Sequence, residues 1–450
     1  MIKNFTMILF LITQLLLQIF SEAIIAQEQI SWKTLPNSPV ASFRHDDAWF
    51  VSAKTGWITN GTGQVFRTTD GGDSWELQLN RPFVWFRSIV FVDSLRGWVG
   101  NLGPNCFAPG ATDPTLIFHT DNGGQSWTPV LNIQRPSPSG ICGMWAVNDS
   151  TVYGAGTICG NPGIIKTTDG GAFWSSVDLS SFCDRLVDCY FFSADSGFVV
   201  GGIGEPGSSR GVVLFTGDGG ITWEEKHRTE NSPVWCWKIS FPTKNVGFVS
   251  LETPLETGVR RTFFLKTLDR GNTWEEKPFL DNNTLYWEQG MGFATPNTGW
   301  IGGDNDTYET TDGGDTWQIT ENAVNLNRVR MVNDTLGYAV GERVYKYTRK
   351  IPVGVESSEN YLPEGYELAQ NFPNPFNPTT SLSYTIPRAE HVSLLIYNVA
   401  GQEVAHLINK TQPAGSHVVE FDAGNLPSGV YLYRLLTEHF SDTRKMMVLK

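Results

Sequence analysis

The residues of this 450-residue chain whose types and spacing bear on chemistry are six octets of the form Thr-Thr-Asp-Gly-Gly-Asp-Ser-Trp, six cysteines, a glycine-rich loop and an Asp-Asn-Asp run. The glycine-rich loop, Gly202 to Gly207, has the G-x-G-x-x-G spacing that cradles a dinucleotide phosphate when a helix follows it. Pro206 and the strand-like Val212 to Phe215 deny it that helix, so it reads as a hairpin loop. Asp304-Asn305-Asp306, near Asp312, offers oxygen ligands but lacks the spacing and the bidentate glutamate of a calcium loop, and reads as a solvated turn. The seven histidines form no H-E-x-x-H, and the chain has neither a G-x-S-x-G nor a P-loop. No metal, no cofactor and no catalytic residue is expected.

The octets run Thr68 to Trp75, Thr120 to Trp127 and Thr167 to Trp174, and three more end at Trp223, Trp274 and Trp317. Each is a tight hairpin in which the aspartate accepts hydrogen bonds from its own turn. The glycines adopt backbone angles that other residues resist, and the tryptophan starts the next strand. Asp70, Asn122, Asp169, Asp218, Asp269 and Asp312 are therefore read as structural. Asn122 argues for this directly, since asparagine makes the same turn bonds but not the same acid chemistry.

Those turns need strands around them, and the repeat supplies them. Successive octet tryptophans lie 52, 47, 49, 51 and 43 residues apart, the period of propeller blades. A second mark, an apolar strand followed by Gly and an aromatic, recurs at Gly56-Trp57, Gly97-Trp98, Gly197-Phe198, Gly247-Phe248, Gly299-Trp300 and Gly337-Tyr338, with Val152-Tyr153 a degenerate seventh copy. Seven marks against six octets leave one blade short of its last strand. Val344 to Thr348 resembles the strand Val65 to Thr69 that precedes an octet, and Ser31 to Leu35 resembles Ser74 to Gln78, which ends one. The expectation is an all-β chain whose seven-bladed propeller closes by pairing its first strand into its last blade, removing the open sheet edge.

Composition agrees: 40% apolar and 18% charged residues with 46 glycines and 16 tryptophans argue for many short strands and against disorder or long helices. A net charge of −13 argues against a nucleic-acid binder held by phosphate contacts. Residues 1–26 carry Lys3, an apolar run from Met7 to Phe20, and small residues at Ala23 and Ala26, the pattern of a cleaved signal peptide. The run is shorter than the roughly 20 residues a membrane span needs, and no later segment reads as one. Cys106, Cys142, Cys159, Cys183, Cys189 and Cys236 contain no C-x-x-C and have only His119 and His227 nearby, so disulfides in an oxidising space are expected rather than zinc. Six cysteines allow 15 pairings.

The octet resembles the Asp-box or BNR repeat, and over Gln27 to Thr348 the chain resembles photosystem II assembly and stability factor-like propellers, with a more distant likeness to sialidase-like ones. The sialidase entrance motif, Arg-Ile-Pro after an aromatic, is absent, since Phe43-Arg44 is followed by His45-Asp46. The expected organisation is a propeller over 27–349, a linker over 350–364 rich in Pro, Gly, Ser and Glu, and a small Ig-like antiparallel β-sandwich over 365–450. Its strands are expected at Ser381 to Ile386, Val392 to Tyr397, Glu403 to Leu407, Ser416 to Phe421, Gly429 to Leu436 and Arg444 to Leu449. This module resembles the type A C-terminal sorting domain of type IX secretion cargo through Leu368 to Pro378, Ile396 to Val404, Ala414 to His417, Leu426 to Leu435 and the terminal K-M-M-V-L-K. The resemblance implies passage through the periplasm and outer membrane by the type IX machinery, and secretion or display at the outer surface. It also implies removal of 365–450, with attachment through a surface polysaccharide.

In a four-stranded blade, the connections between blades and the hairpins between strands two and three share one face, here the top. On that face Cys106 with Cys142 and Cys159 with Cys183 are expected to staple neighbouring blades, leaving Cys189 with Cys236. Aligning the innermost strands on the Gly-aromatic mark places Arg44, Trp85, Gly140, Arg185, Trp235, Trp287 and Asn325 at one position near the top mouth. Arg44, Trp85, Arg185, Trp235 and Trp287 are the candidate ligand residues, because indoles supply stacking area and guanidiniums pair with carboxylates. The competing reading is that the tryptophans pack between blades. The expected function is a non-catalytic binding or scaffold module for a protein or glycan, the alternative a sialidase-like or xyloglucanase-like glycoside hydrolase on the same ring.

Overall fold

The computed structural model describes residues 31–42, 44–104, 106, 110–253, 262–280, 288–303, 306–320, 323, 326–349, 365–371 and 374–449. The expected signal peptide 1–26, the linker 350–364, Phe43, Trp287, Asp304-Asn305 and Asn325 lie outside these described residues.

Each octet closes its hairpin with the same bonds. In the first, Thr68 Oγ1 donates to Asp70 Oδ1 at 2.8 Å and accepts from the Gly72 amide at 2.8 Å, while the Ser74 amide donates to Asp70 Oδ1 at 2.9 Å. Gly71 stands at φ 79°, where a side chain would strain the backbone, and an added Cβ would come within 2.8 Å of the Ala53 carbonyl. Asn122 makes the equivalent set, accepting from the Ser126 amide at 3.0 Å and donating from Nδ2 to Ser126 Oγ at 2.8 Å.

These turns connect seven antiparallel four-stranded sheets arranged as blades. Blades 1 to 6 span residues 45–80, 86–129, 143–178, 185–228, 235–278 and 288–320. Blade 7 consists of Arg328–Asn333, Leu336–Val340 and Val344–Thr348, with Ser31–Thr34 as its outer strand. Trp32 pairs with Tyr347 and Thr34 with Tyr345, so the N-terminal strand closes the ring as the repeat arithmetic predicts. Trp32 is 2% exposed, and its ring meets Trp300 at 5.1 Å and Tyr347 at 5.5 Å.

The Gly-aromatic mark is the joint between blades. A Cβ on Gly56 would lie 2.3 Å from the Phe50 ring that ends the innermost strand, so only glycine lets that ring fold back. The aromatic beside the mark stacks on the next blade: Trp57 on Phe91 at 3.5 Å, Tyr153 on Phe191 at 3.5 Å, Phe248 on Phe293 at 3.5 Å, and Tyr338 on Phe50 at 3.4 Å across the closure. A cation on the third strand reaches the next blade's turn as well. Lys166 Nζ donates to Gly219 O at 3.1 Å, Lys266 Nζ to Gly313 O at 2.8 Å and Lys346 Nζ to Gly71 O at 3.2 Å.

Two blades carry no basic side chain there: blade 4 has Phe215 at this position, and blade 6, whose neighbour blade 7 has no octet, has a carboxylate. Glu309, paired with Trp300, stands where Lys266 pairs with Phe248 and Lys346 with Tyr338. Burial pushes its carboxyl up to about 7, partly opposed by a hydrogen bond from Trp300. The folded chain therefore holds a proton there between its ordinary value of 4.5 and about 7, and stability falls as pH rises through that window. Glu309→Gln should flatten the loss between pH 5 and pH 8 by on the order of 1 kcal/mol at this half-buried site, read from urea midpoints at the two pH values.

Residues 365–449 form a sandwich of two sheets, ordered Glu367–Leu368, Thr379–Ile386, Gly415–Asp422 and Glu403–Gln412, Glu390–Asn398, Gly429–Leu436, Ser441–Val448. Leu382, Tyr384 and Ile386 alternate inward from one sheet against Leu394, Ile396, Tyr433 and Leu435 from the other. All six expected strands are present. Five run further than expected at one end or both, most of all through Gln412 and from Ser441, because polar residues continue the backbone ladder there without continuing the apolar alternation. The proline-bearing segment is tied to the last strand: the Phe376 amide donates to Met447 O at 3.0 Å and the Leu449 amide to Phe376 O at 2.9 Å.

Candidate functional site

The innermost strands of the blades surround a central channel, and β-bulges decide what faces it. Register shifts at His45/Asp47, Phe86/Ser88, Leu186/Asp188, Cys236/Ile239 and Glu288/Gly290 insert an extra residue at the same level of five blades. Such a shift re-aims side chains that strict alternation would send to opposite faces. It brings a buried ionic network together across the ring.

Arg328 Nη1 and Nη2 donate to Asp188 Oδ2 and Oδ1 at 2.6 and 3.1 Å, and its Nε lies 3.2 Å from Asp47 Oδ1. Arg330 adds two bonds to Asp47 at 3.2 and 3.1 Å. Nearer the top, Asp46 receives Arg87 Nη1 at 2.6 Å, Trp85 Nε1 at 2.8 Å and Arg44 Nε at 3.3 Å. Burial alone would raise the Asp47 and Asp188 carboxyls. Arg330 and Arg328 beside Asp47, and Arg328 and Lys238 beside Asp188, outweigh it and hold both below the usual carboxylate range. Single blades in the repeat gave no sign of this network. Its only sequence trace is the presence of charge inside otherwise apolar strands, as in His45–Phe50 (H-D-D-A-W-F) and Trp235–Ser240 (W-C-W-K-I-S).

The candidate ligand residues fall into two pairs. Arg44 and Trp85 line a top-face cavity of about 340 Å³ with Asp46, Asn60, Gly61 and Thr62. Arg185 lies over the Trp235 ring at 4.3 Å and donates to Gly204 O at 3.3 Å. Trp235 itself is only 7% exposed and belongs to a cluster with Leu102, Cys142, Ile158, Val187 and Trp237, so its indole is a packing group. Trp287 lies outside the described residues. The opposite mouth, which sequence reasoning missed, is lined by Trp49, Trp145, Tyr190, Phe241 and Arg330 around about 330 Å³. There the Arg330 guanidinium lies 5.0 Å from the Trp49 ring and 5.7 Å from that of Trp145.

Asp70, Asn122, Asp169, Asp218, Asp269 and Asp312 stay apart, each bonded within its own turn. Hydrogen bonds from Ser74 and Thr68 hold the Asp70 carboxyl far below its usual range, and those from Thr222 and Thr216 hold Asp218 at about 2. Among the described residues no group of three or more His, Cys, Asp or Glu side chains is placed to hold a metal. Gly202 and Ile203 end the strand Gly197–Ile203, and the rest of Gly202 to Gly207 lies in the hairpin connection to Arg210–Thr216, which holds a single 3-10 turn at Pro206–Ser208.

The expected cysteine pairing is corrected. Cys106 bonds Cys159, with Cα atoms 5.6 Å apart, instead of Cys142, and Cys142, Cys183, Cys189 and Cys236 are buried thiols. The hairpin loops between strands two and three of blades 2 and 3 stand side by side. Cys142 is buried in the same hydrophobic cluster as Cys106, and Cys183 Sγ turns back to Leu179 O at 3.5 Å. Burial pushes the Cys183 thiol up to about 12.

Residues 370–449 match the family described as the secretion system C-terminal sorting domain. This module is a sorting domain, and it implies engagement of the type IX secretion machinery and export to the cell surface or beyond. Among curated proteins none matches the chain. Of solved structures, YCF48 from Cyanidioschyzon merolae is similar, at 18% identity and a TM-score of 0.53, over 72% of this chain and 100% of that one. YCF48 bound to D1 peptide gives 18% and 0.52, over 71% of this chain and 97% of the other. A GH74 xyloglucanase from Xanthomonas campestris gives 10% and 0.51, over 79% of this chain and 59% of the other. At these identities the likeness is one of fold alone, a β-propeller. No helix among the described residues is long and apolar enough to cross a membrane.

Proposed function

We propose that the chain is a non-catalytic binding or scaffold propeller, delivered by its sorting domain to the outer surface or the medium, that takes a protein or glycan ligand at its top mouth. Support comes first from the state of the channel carboxylates. Glycoside hydrolysis needs one acid of raised pKa opposite a second, available carboxylate. Asp46, Asp47 and Asp188 converge on the channel, but each is clasped by guanidinium groups. Around them Trp85 and Arg185, both partly exposed, offer a flat apolar face and a planar donor at the rim. In this reading 365–450 serve export and are then exchanged for a polysaccharide anchor.

The test is a glycan array and a pulldown from surface extract with the mature full-length chain, run beside an assay for released sugar. Retention of a ligand without turnover is the expected result. Sugar release abolished by a single carboxylate substitution would overturn the proposal in favour of a hydrolase.

A further inference from the structure

The channel network accounts for every charge in it except one. Lys238, on the innermost strand of blade 5, is 0% exposed, and its Nζ has no hydrogen-bond partner. Burial and the neighbouring Arg328 and Arg87 push its ammonium well below the ordinary lysine range, and the two carboxylates that oppose this, Asp188 and Asp47, are already occupied. Both oxygens of Asp188 face Arg328, and Oδ2 also accepts the Ile239 amide at 3.2 Å. Both oxygens of Asp47 face Arg330, while the Ala48 and Ile89 amides donate to Oδ1 and Oδ2 at 2.9 and 3.2 Å.

Lys238 is not the only donor left over at this level. Arg87 spends Nη1 on Asp46, but its Nη2 is buried without a partner, as is Trp237 Nε1. Both cations flank the same indole: the Arg87 guanidinium carbon lies 5.4 Å from the Trp237 ring centroid and Lys238 Nζ 5.7 Å from it. Buried donors without acceptors are costly and uncommon, and two like charges beside one another add to the cost. Lys238 Nζ, Arg87 Nη2 and Trp237 Nε1 are thus left without acceptors around one indole.

We propose that the channel binds one small monovalent anion of the halide class, held by Lys238 Nζ, Arg87 Nη2 and Trp237 Nε1. A halide suits the place better than an oxyanion. It imposes no directional geometry on its donors and is small enough for a level lined by the buried Arg87, Trp237 and Lys238. The site is independent of the ligand proposed for the top mouth.

The test compares thermal unfolding of the mature full-length chain in sodium chloride, sodium bromide and sodium methanesulfonate at equal ionic strength. The expected result is a saturable rise in midpoint with chloride and bromide, absent with methanesulfonate and absent in Lys238→Met. Equal midpoints in all three salts, or a halide rise that survives in Lys238→Met, would overturn the proposal and leave water or a neutral amine at Lys238. Should Lys238→Met not fold, bromide-soaked crystals of the unaltered chain decide it. An anomalous peak between Lys238 and Trp237 supports the site, and its absence at saturating bromide overturns it.

Discussion

A chain that begins at Leu35 fails to give a cooperative unfolding transition for its propeller, and Trp32→Ala alone lowers the stability of that unit by about 3–5 kcal/mol. The removed strand supplies all four outer-strand positions of blade 7 and pairs Ser31 to Thr348 through Thr34 to Tyr345. Without it Val344–Thr348 becomes an unpaired edge, and the hydrophobic cluster formed by Trp32, Trp300, Leu326, Val329 and Tyr347 opens to water. A domain is stable by only about 5–15 kcal/mol, so the single substitution takes a large share of the total. Thermal and urea unfolding followed by tryptophan fluorescence reads both changes. An unchanged midpoint would mean that the ring does not depend on this closure.

Arg328→Met has an effect of comparable size for a different reason. Arg328 sits on blade 7 but its guanidinium reaches Asp188 of blade 4 and Asp47 of blade 1, so the loss strands the buried Asp188 carboxylate and leaves Asp47 with Arg330 as its guanidinium partner. Breaking a buried pair by removing one partner costs about 3–5 kcal/mol, most of it the uncompensated charge left behind. The double variant Arg328→Met/Asp188→Asn should be less impaired than the single one, a non-additivity that a mere packing defect would not produce. The pH dependence has a definite sign. In the unaltered chain the depressed Asp47 and Asp188 values contribute stability that is present above the ordinary carboxylate range and lost as pH falls through their folded values. Without Arg328 that contribution shrinks, so the gap between variant and parent should narrow in acid.

What could be read in advance was whatever the chain repeats. The octet and the Gly-aromatic mark each specify a local conformation, and their count, seven against six, was enough to place Ser31–Thr34 in the last blade. The C-terminal sandwich was legible because its apolar alternation runs through Thr379–Ile386 and Gly429–Leu436, while the sorting domain was legible only through the resemblance of its motifs to that family. The site was legible only in outline. Alignment assigned Arg44, Trp85, Arg185 and Trp235 to one level, but exposure depends on neighbours from other blades, and Trp235 turned out to be packed. The ionic network escaped because its partners are as much as 283 residues apart and because bulges break the alternation that assigns faces. The disulfide escaped because placing cysteines on one face does not choose among them: Cys106, Cys142 and Cys159 meet in one hydrophobic cluster, and the bond joins Cys106 to Cys159.

Capture at the top mouth without chemistry is the central property expected of this propeller. Titration of the ligand retained in the pulldown against the parent chain, Trp85→Ala and Arg185→Ala, with the unfolding midpoint of each recorded alongside, tests this most directly. The expected result is a fall in affinity of tenfold or so in each variant, the loss of about 1.4 kcal/mol from one rim contact, with the ligand recovered chemically intact. Affinity unchanged in both variants at unchanged stability, or a ligand recovered cleaved, would contradict it.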